Sequence, residues 1–208
     1  MRKAGLAIVS LIVWAVLAPA AWAQDLPRIE LSLNAGGVFT KDVKSTSGVV
    51  TDTATKSLAV FGSIQYQFTR MHSLELSVGH SNNSQIFVLS PNAYRIATAV
   101  TEYSGAYLFS PFASKNWEPF LLGGVGGLRF SPGKTYIDGF QASFGAGQQT
   151  SLAFVYGAGV DHHLWRILNL RVQYRGFLYK APDFKLQSFY TGARGHMAEP
   201  SIGLAVRF

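Results

Sequence analysis

The stretch Ala198-Glu199-Pro200-Ser201-Ile202-Gly203-Leu204-Ala205-Val206-Arg207-Phe208 decides the fold class. Ala198, Pro200, Ile202, Leu204, Val206 and Phe208 share one parity, and Glu199, Ser201, Gly203, Ala205 and Arg207 the other. A period of two is the signature of an extended strand with one apolar and one polar face. The segment Arg166–Tyr179 repeats it, with Leu168, Leu170, Val172, Tyr174 and Leu178 set against Asn169, Arg171, Gln173 and Arg175. Traced through the whole chain, the alternation predicts eight strands: Glu30–Thr40, Thr55–Phe68, Ser73–His80, Arg95–Phe109, Trp117–Phe130, Thr150–Asp161, Arg166–Tyr179 and His196–Phe208.

Alternation alone does not separate a soluble sandwich from a membrane barrel, because each has one apolar face. The connections do. Short links around Arg70, Ala113 and His163 alternate with four long ones, Lys41–Ala54, Ser81–Tyr94, Ser131–Gln149 and Lys180–Gly195. An up-and-down barrel with short periplasmic turns and long outer loops produces that alternation. Most of the segments reach the roughly 9–11 residues that a tilted membrane strand requires. The fold expected is therefore all-β, an eight-stranded antiparallel up-and-down transmembrane barrel. Phe68, Phe109, Phe112, Trp117, Trp165 and Phe208 all map to the short-turn end, where an interfacial aromatic girdle belongs.

Composition agrees. Of 208 residues 48% are hydrophobic and 14% charged, with 21 Gly, 15 Phe and 9 Tyr, a balance suited to strands and tight turns. No Cys is present, which excludes disulfides, thiolate metal sites and a cysteine nucleophile. The net charge of +7 is scattered along the chain, so no basic patch points to nucleic acid. At the N-terminus Arg2 and Lys3 precede the apolar run Leu6–Leu17, followed by Ala21-Trp22-Ala23. That order is a secretory signal peptide, and cleavage after residue 23 is expected to leave a single barrel domain spanning 24–208.

Ionisable residues within membrane strands face the interior and need partners. By parity Glu30, Glu75, Glu102, Glu118, Asp161 and Glu199 share the inner face with Arg171, Arg175 and Arg207, assisted by Asn34, Gln65, Gln67, Asn169 and Gln173. An eight-stranded barrel is only wide enough for side chains to fill. This set is accordingly read as a hydrogen-bonded interior plug, with Arg171 placed near Glu75 and Glu118 and Arg175 near Glu102. The alternative is the lining of a narrow gated conduit.

The order of signal peptide, eight alternating segments and terminal aromatic resembles the small eight-stranded outer-membrane barrel family, which includes the barrel half of outer-membrane protein A. Trp117-Glu118-Pro119-Phe120-Leu121, Gly157-Ala158-Gly159-Val160-Asp161 and Leu170-Arg171-Val172-Gln173-Tyr174-Arg175 look like its fifth strand and its sixth-to-seventh hairpin. The resemblance implies an outer-membrane location. It also implies an assembly signal, read by the barrel-assembly machinery, at Ile202, Leu204, Val206 and Phe208. A peptidoglycan-binding domain is not expected after the last strand.

Some members of such families modify lipid A, and their deacylase-type members carry a His-x-Ser pair. Here His72-Ser73, His80-Ser81, His162-His163 and His196 provide no such pair. Successive strand residues face opposite ways, so His80 and Ser81 would not share a face. His162-His163 lacks a third ligand in sequence, and Gly123-Gly124-Val125-Gly126-Gly127 lacks the Lys-Ser/Thr of a phosphate loop. The expectation is a non-enzymatic, monomeric barrel without cofactor or metal, having an envelope-structural or surface-interaction role. Its partners would be outer-membrane lipids. Lys41, Lys44, Lys134, Lys180, Lys185 and Arg194, against Asp42, Asp52, Asp138 and Asp183, leave an excess of base in the loops that suits lipopolysaccharide phosphates.

Overall fold

The computed structural model describes residues 29–45, 50–89, 91–112, 114 and 116–208. The export segment 1–23 and the Ala113 link lie outside the described residues. Eleven strands occur among them: β1 (Ile29–Thr40), β2 (Val43–Lys44), β3 (Thr51–Ala54), β4 (Ser57–Gln67), β5 (His72–Leu89), β6 (Asn92–Phe109), β7 (Trp117–Ile137), β8 (Phe140–Gln141), β9 (Gln149–His163), β10 (Leu168–Lys180) and β11 (Arg194–Arg207).

Eight of them form the wall. Each long strand pairs antiparallel with its neighbour in the ring β1-β4-β5-β6-β7-β9-β10-β11, and β11 returns to β1 with Glu30 opposite Arg207. Closure leaves the wall itself without an edge, so its main-chain groups are paired within the molecule. The wall strands carry the expected inside-outside alternation: along β1, Glu30, Ser32 and Asn34 are buried while Leu31 and Leu33 are exposed. An exposed leucine row backed by a buried polar row reverses the order of a soluble protein and suits a lipid exterior.

The short-turn end is as the sequence suggests. Phe68, Phe112, Trp117, Trp165 and Phe208 are exposed there, and Phe109 is half-buried beside His72. The opposite end differs from expectation. Ser81–Tyr94 is not a long loop: β5 runs on to Leu89 and pairs residue by residue with β6, with Leu89 opposite Asn92. Polar Asn82-Asn83-Ser84 reads as loop, yet only Asn82 meets water: Asn83 and Ser84 are buried, and the Ser84 N–H donates to Thr55 Oγ1 at 2.8 Å. β7 likewise continues past Phe130 to Ile137 through a register shift between Ile96 and Thr98, opposite Pro132. A bulge accommodates a residue that has no N–H to give the ladder. β2 and β3 fold the first outer connection into a flap along β5, which buries Asp52 rather than leaving it on the loop surface.

The last outer connection also turns inward. Beyond β10 the chain passes through a one-turn 3₁₀ helix at Gln187–Phe189 and buries Phe184 and Phe189 in the barrel mouth. Phe184 and Lys185 adopt φ of 51° and 63°, a left-handed turn that non-glycine residues hold only under constraint. The constraint is Gln149, whose Oε1 accepts the N–H of Asp183 at 3.0 Å and of Phe184 at 2.9 Å. Gly147 N–H donates to the Phe184 carbonyl at 2.8 Å from the other side.

Candidate functional site

Side chains fill the lumen in layers. Nearest the short turns, Arg171 is almost fully enclosed. Its Nε and Nη2 donate to both oxygens of Asp161 at 2.7 Å, its Nη2 to Glu30 at 2.5 Å and Gln65 at 3.1 Å, and its Nη1 to Glu75 at 3.1 Å. Arg207 joins the same layer, donating to Glu30 at 2.9 Å and to Glu118 at 2.8 Å. Asn169 adds a donor to Glu30 at 3.1 Å. The guanidinium of Arg171 also faces the Phe120 ring, 5.0 Å from its centroid.

One layer higher, Arg175 donates through Nη2 to Glu102 and, at 2.7 Å, to Glu199, and through Nη1 to Ser77 at 2.9 Å. Four residues separate Arg175 from Arg171 on β10, so the two layers lie about 13 Å apart along the strand at roughly 3.3 Å per residue. Between them Gln173 is buried, with neither end of its amide bonded to another described residue.

All nine charged residues singled out by parity therefore line one lumen and meet in ion pairs. One pairing differs from the sequence-based placement. Glu118 meets Arg207 instead of Arg171, whose donors are already taken by Asp161, Glu30, Glu75 and Gln65. Ile202, Leu204, Val206 and Phe208 form the outward row of β11, and the Phe208 N–H donates to the Ile29 carbonyl at 2.8 Å.

Above Arg175 the filling becomes apolar. Phe61, Phe87, Ile96, Leu128, Phe130, Val155 and Phe177 point inward, and Phe184 and Phe189 descend on them from the outer loop. Phe87 stacks on Phe189 with centroids 4.4 Å apart and meets Phe184 edge-on at 6.1 Å. Sequence reasoning missed this apolar storey. Its trace is the loss of alternation in Phe177-Leu178-Tyr179, where both parities turn apolar.

Beside this storey Asp52 is buried with no cation against it, and its Oδ1 has no partner among the described residues. Burial first, and the nearby Asp42 second, push its carboxyl up to about 7. The reacting geometries sought in the sequence are not assembled. His80 faces outward and Ser81 inward, while His162 and His163 are engaged by the Asn116 carbonyl at 3.0 Å and by Asn169 at 2.7 Å. No group of three or more His, Asp or Glu capable of holding a metal occurs among the described residues.

A closed ring of tilted strands, apolar outside and charged within, defines an integral β-barrel membrane protein. The chain belongs to the outer membrane protein β-barrel domain family, whose model matches residues 6–196, and its place is the bacterial outer membrane. Similar solved structures include Neisserial surface protein A, 14% identical with a TM-score of 0.58, covering 89% of this chain and 100% of that one. Another is OprG of Pseudomonas aeruginosa, 12% identical with a TM-score of 0.58, covering 88% and 97%. A third is Ail, the attachment invasion locus protein of Yersinia pestis, solved with the heparin analogue sucrose octasulfate; it is 15% identical with a TM-score of 0.50, covering 87% and 99%. At these identities the likeness is one of fold. No curated protein matches the chain.

Proposed function

We propose that the mature chain, 24–208 after removal of the signal peptide 1–23, is a non-catalytic monomeric barrel with a closed lumen. It serves the outer membrane as a structural element and as a support for surface loops. The observation that carries this reading is the double filling of the lumen, two ionic layers below an apolar stopper. Opposite walls are joined through Arg171 and Arg175, so the charges brace the ring rather than line a path. Ile202, Leu204, Val206 and Phe208 act earlier, as the signal by which the barrel-assembly machinery receives the chain. Lipopolysaccharide is the natural neighbour of the basic outer rim.

The test is planar-bilayer recording of the purified barrel. Absence of discrete current steps is the expected result, and steady single-channel openings of the unmodified protein would replace this reading with that of a conduit. Mass spectrometry of lipid A from a deletion strain tests the non-catalytic part: an unchanged acylation and phosphate pattern is expected.

A further inference from the structure

The outward rows of β9, β10 and β11 converge on a feature the closed lumen does not use. On β10 the row reads Leu168, Leu170, Val172, Tyr174, Gly176, Leu178 and then Lys180; on β11, read back from Phe208, it passes His196, bonded to the Tyr156 hydroxyl at 2.7 Å, and reaches its first Lys or Arg at Arg194. The ten steps from Leu168 to Leu178 climb about 25 Å at roughly 3.3 Å per residue and a tilt of about 40°, the height of the apolar band of such barrels. The first Lys and Arg of these rows therefore stand at the outer edge of the hydrocarbon layer.

Lys180 and Arg194 are direct cross-strand partners. Like charges in that position repel, and a barrel that keeps them there is served by an anion between them. Neither is in an ion pair with a carboxylate among the described residues, and both are exposed. The Tyr190 ring lies 4.9 Å from the Lys180 ammonium, which steadies that group at the rim without cancelling its charge. Leu152, level with Lys180 on the neighbouring β9, and Phe154 and Leu178 one step below line a groove of about 510 Å³ that reaches both cations. Leu152 is 87% exposed and lines that groove.

We propose that this groove seats a phosphorylated, acylated glycolipid of the outer leaflet, of the lipid A class. One phosphate sits between Lys180 and Arg194, and one acyl chain lies along Leu152, Phe154 and Leu178. Arg194 offers the planar two-donor fork that suits phosphate, and Lys180 adds a point charge. Water does not compete for the lower part, because it is already in the hydrocarbon layer. The site rests on the orientation that puts the long connections at the cell surface. It does not depend on closure of the lumen, so its failure would leave that reading standing.

The experiment uses the whole barrel, extracted from membranes, stripped of lipid and reconstituted in phosphatidylcholine nanodiscs. Native mass spectrometry then measures retention of bis-phosphorylated lipid A against the same lipid with its phosphates removed. The phosphorylated form should bind at least tenfold more tightly. Lys180→Gln with Arg194→Gln should lower its affinity to that of the dephosphorylated lipid, while Lys56→Gln with Arg95→Gln, which removes equal charge from exposed positions at the same end, should stay within twofold of the parent. Inorganic phosphate at millimolar concentration should not displace the lipid. Equal affinity for the two lipids, an unchanged Lys180/Arg194 variant, or an equal loss in the control variant would each overturn the proposal. Displacement by inorganic phosphate would make the pair a site for a soluble anion and overturn it equally.

Discussion

Arg175 lies over the face of Phe61, its guanidinium carbon 3.5 Å from the ring centroid, at the level where ionic filling gives way to apolar filling. Its charged edge points at Glu102 and Glu199 and its flat face at an aromatic ring, which is the geometry a guanidinium permits and an ammonium does not. Arg175→Lys should therefore be damaging. Arg175→Ala should destabilise the barrel by about 3–5 kcal/mol, the usual cost of stranding buried carboxylates, and adding Glu102→Gln should restore part of the loss. Urea titrations in lipid vesicles measure both. Strict additivity would show that Arg175 and Glu102 are energetically independent.

The two storeys close the lumen separately, so either should suffice to block current. Phe184→Ala with Phe189→Ala removes the stopper and should leave bilayer conductance at baseline. The same pair combined with Arg175→Ala and Arg171→Ala should open a measurable leak. Channel activity in the Phe184/Phe189 variant alone would mean that the ionic layers pass ions and that the outer loop is the gate.

On the inner face of β7, Gly124 sits so close to β6 that a Cβ there would overlap the Gly105 carbonyl oxygen, whereas a Cβ on the outward-facing Gly123 would meet nothing within 4 Å. Gly124→Ala must push two wall strands apart. It should cost about 1–3 kcal/mol, as overpacking does. Gly123→Ala should be close to neutral. Heat-modifiability on gels and urea midpoints provide the comparison, and equal effects would contradict the strand register.

Asp52 gives the outer flap a pH response. Its carboxyl, 3.8 by ordinary chemistry and about 7 here, is held protonated by the fold, so the folded flap binds a proton that the unfolded flap releases. That stability is complete below pH 3.8 and declines as the pH rises to about 7, where it levels off. Amide protection factors of Thr51–Ala54 should thus be higher at pH 5 than at pH 8. Asp52→Asn should abolish the difference and raise protection at pH 8. The gain can reach about 4 kcal/mol at ~1.4 kcal/mol per tenfold change in proton affinity, and falls short of that where water relaxes the site. A pH-independent parent would show that the carboxyl is hydrated.

The lower half of the site was legible because lipid imposes a strict rule: with no water outside, every charge on a membrane strand must turn inward, and parity alone then groups Glu30, Glu75 and Arg171. The upper half was not, because the rule lapses where the strands leave the bilayer. Asn82, Asn83 and Ser84 look like loop although they extend a strand, and Phe177, on the inward parity of Arg171 and Arg175, is apolar where the rule calls for a polar group. Phe184 and Phe189 carry no periodicity at all. Their burial depends on Gln149 and Gly147, more than thirty residues away in sequence.

The seam between β1 and β11 joins Glu30 to Arg207 and the Ile29 carbonyl to the last N–H of the chain. A ring whose first and final strands are neighbours has no native intermediate that can be completed from one end. Before β11 arrives, β1 and β10 each present a row of unsatisfied amides, a template on which a second unfinished chain could add. The ring therefore closes in one late step, when β11 arrives to pair with both β1 and β10. A lesion in β11 should consequently appear as loss to proteolysis in transit rather than as a weakened barrel in the membrane.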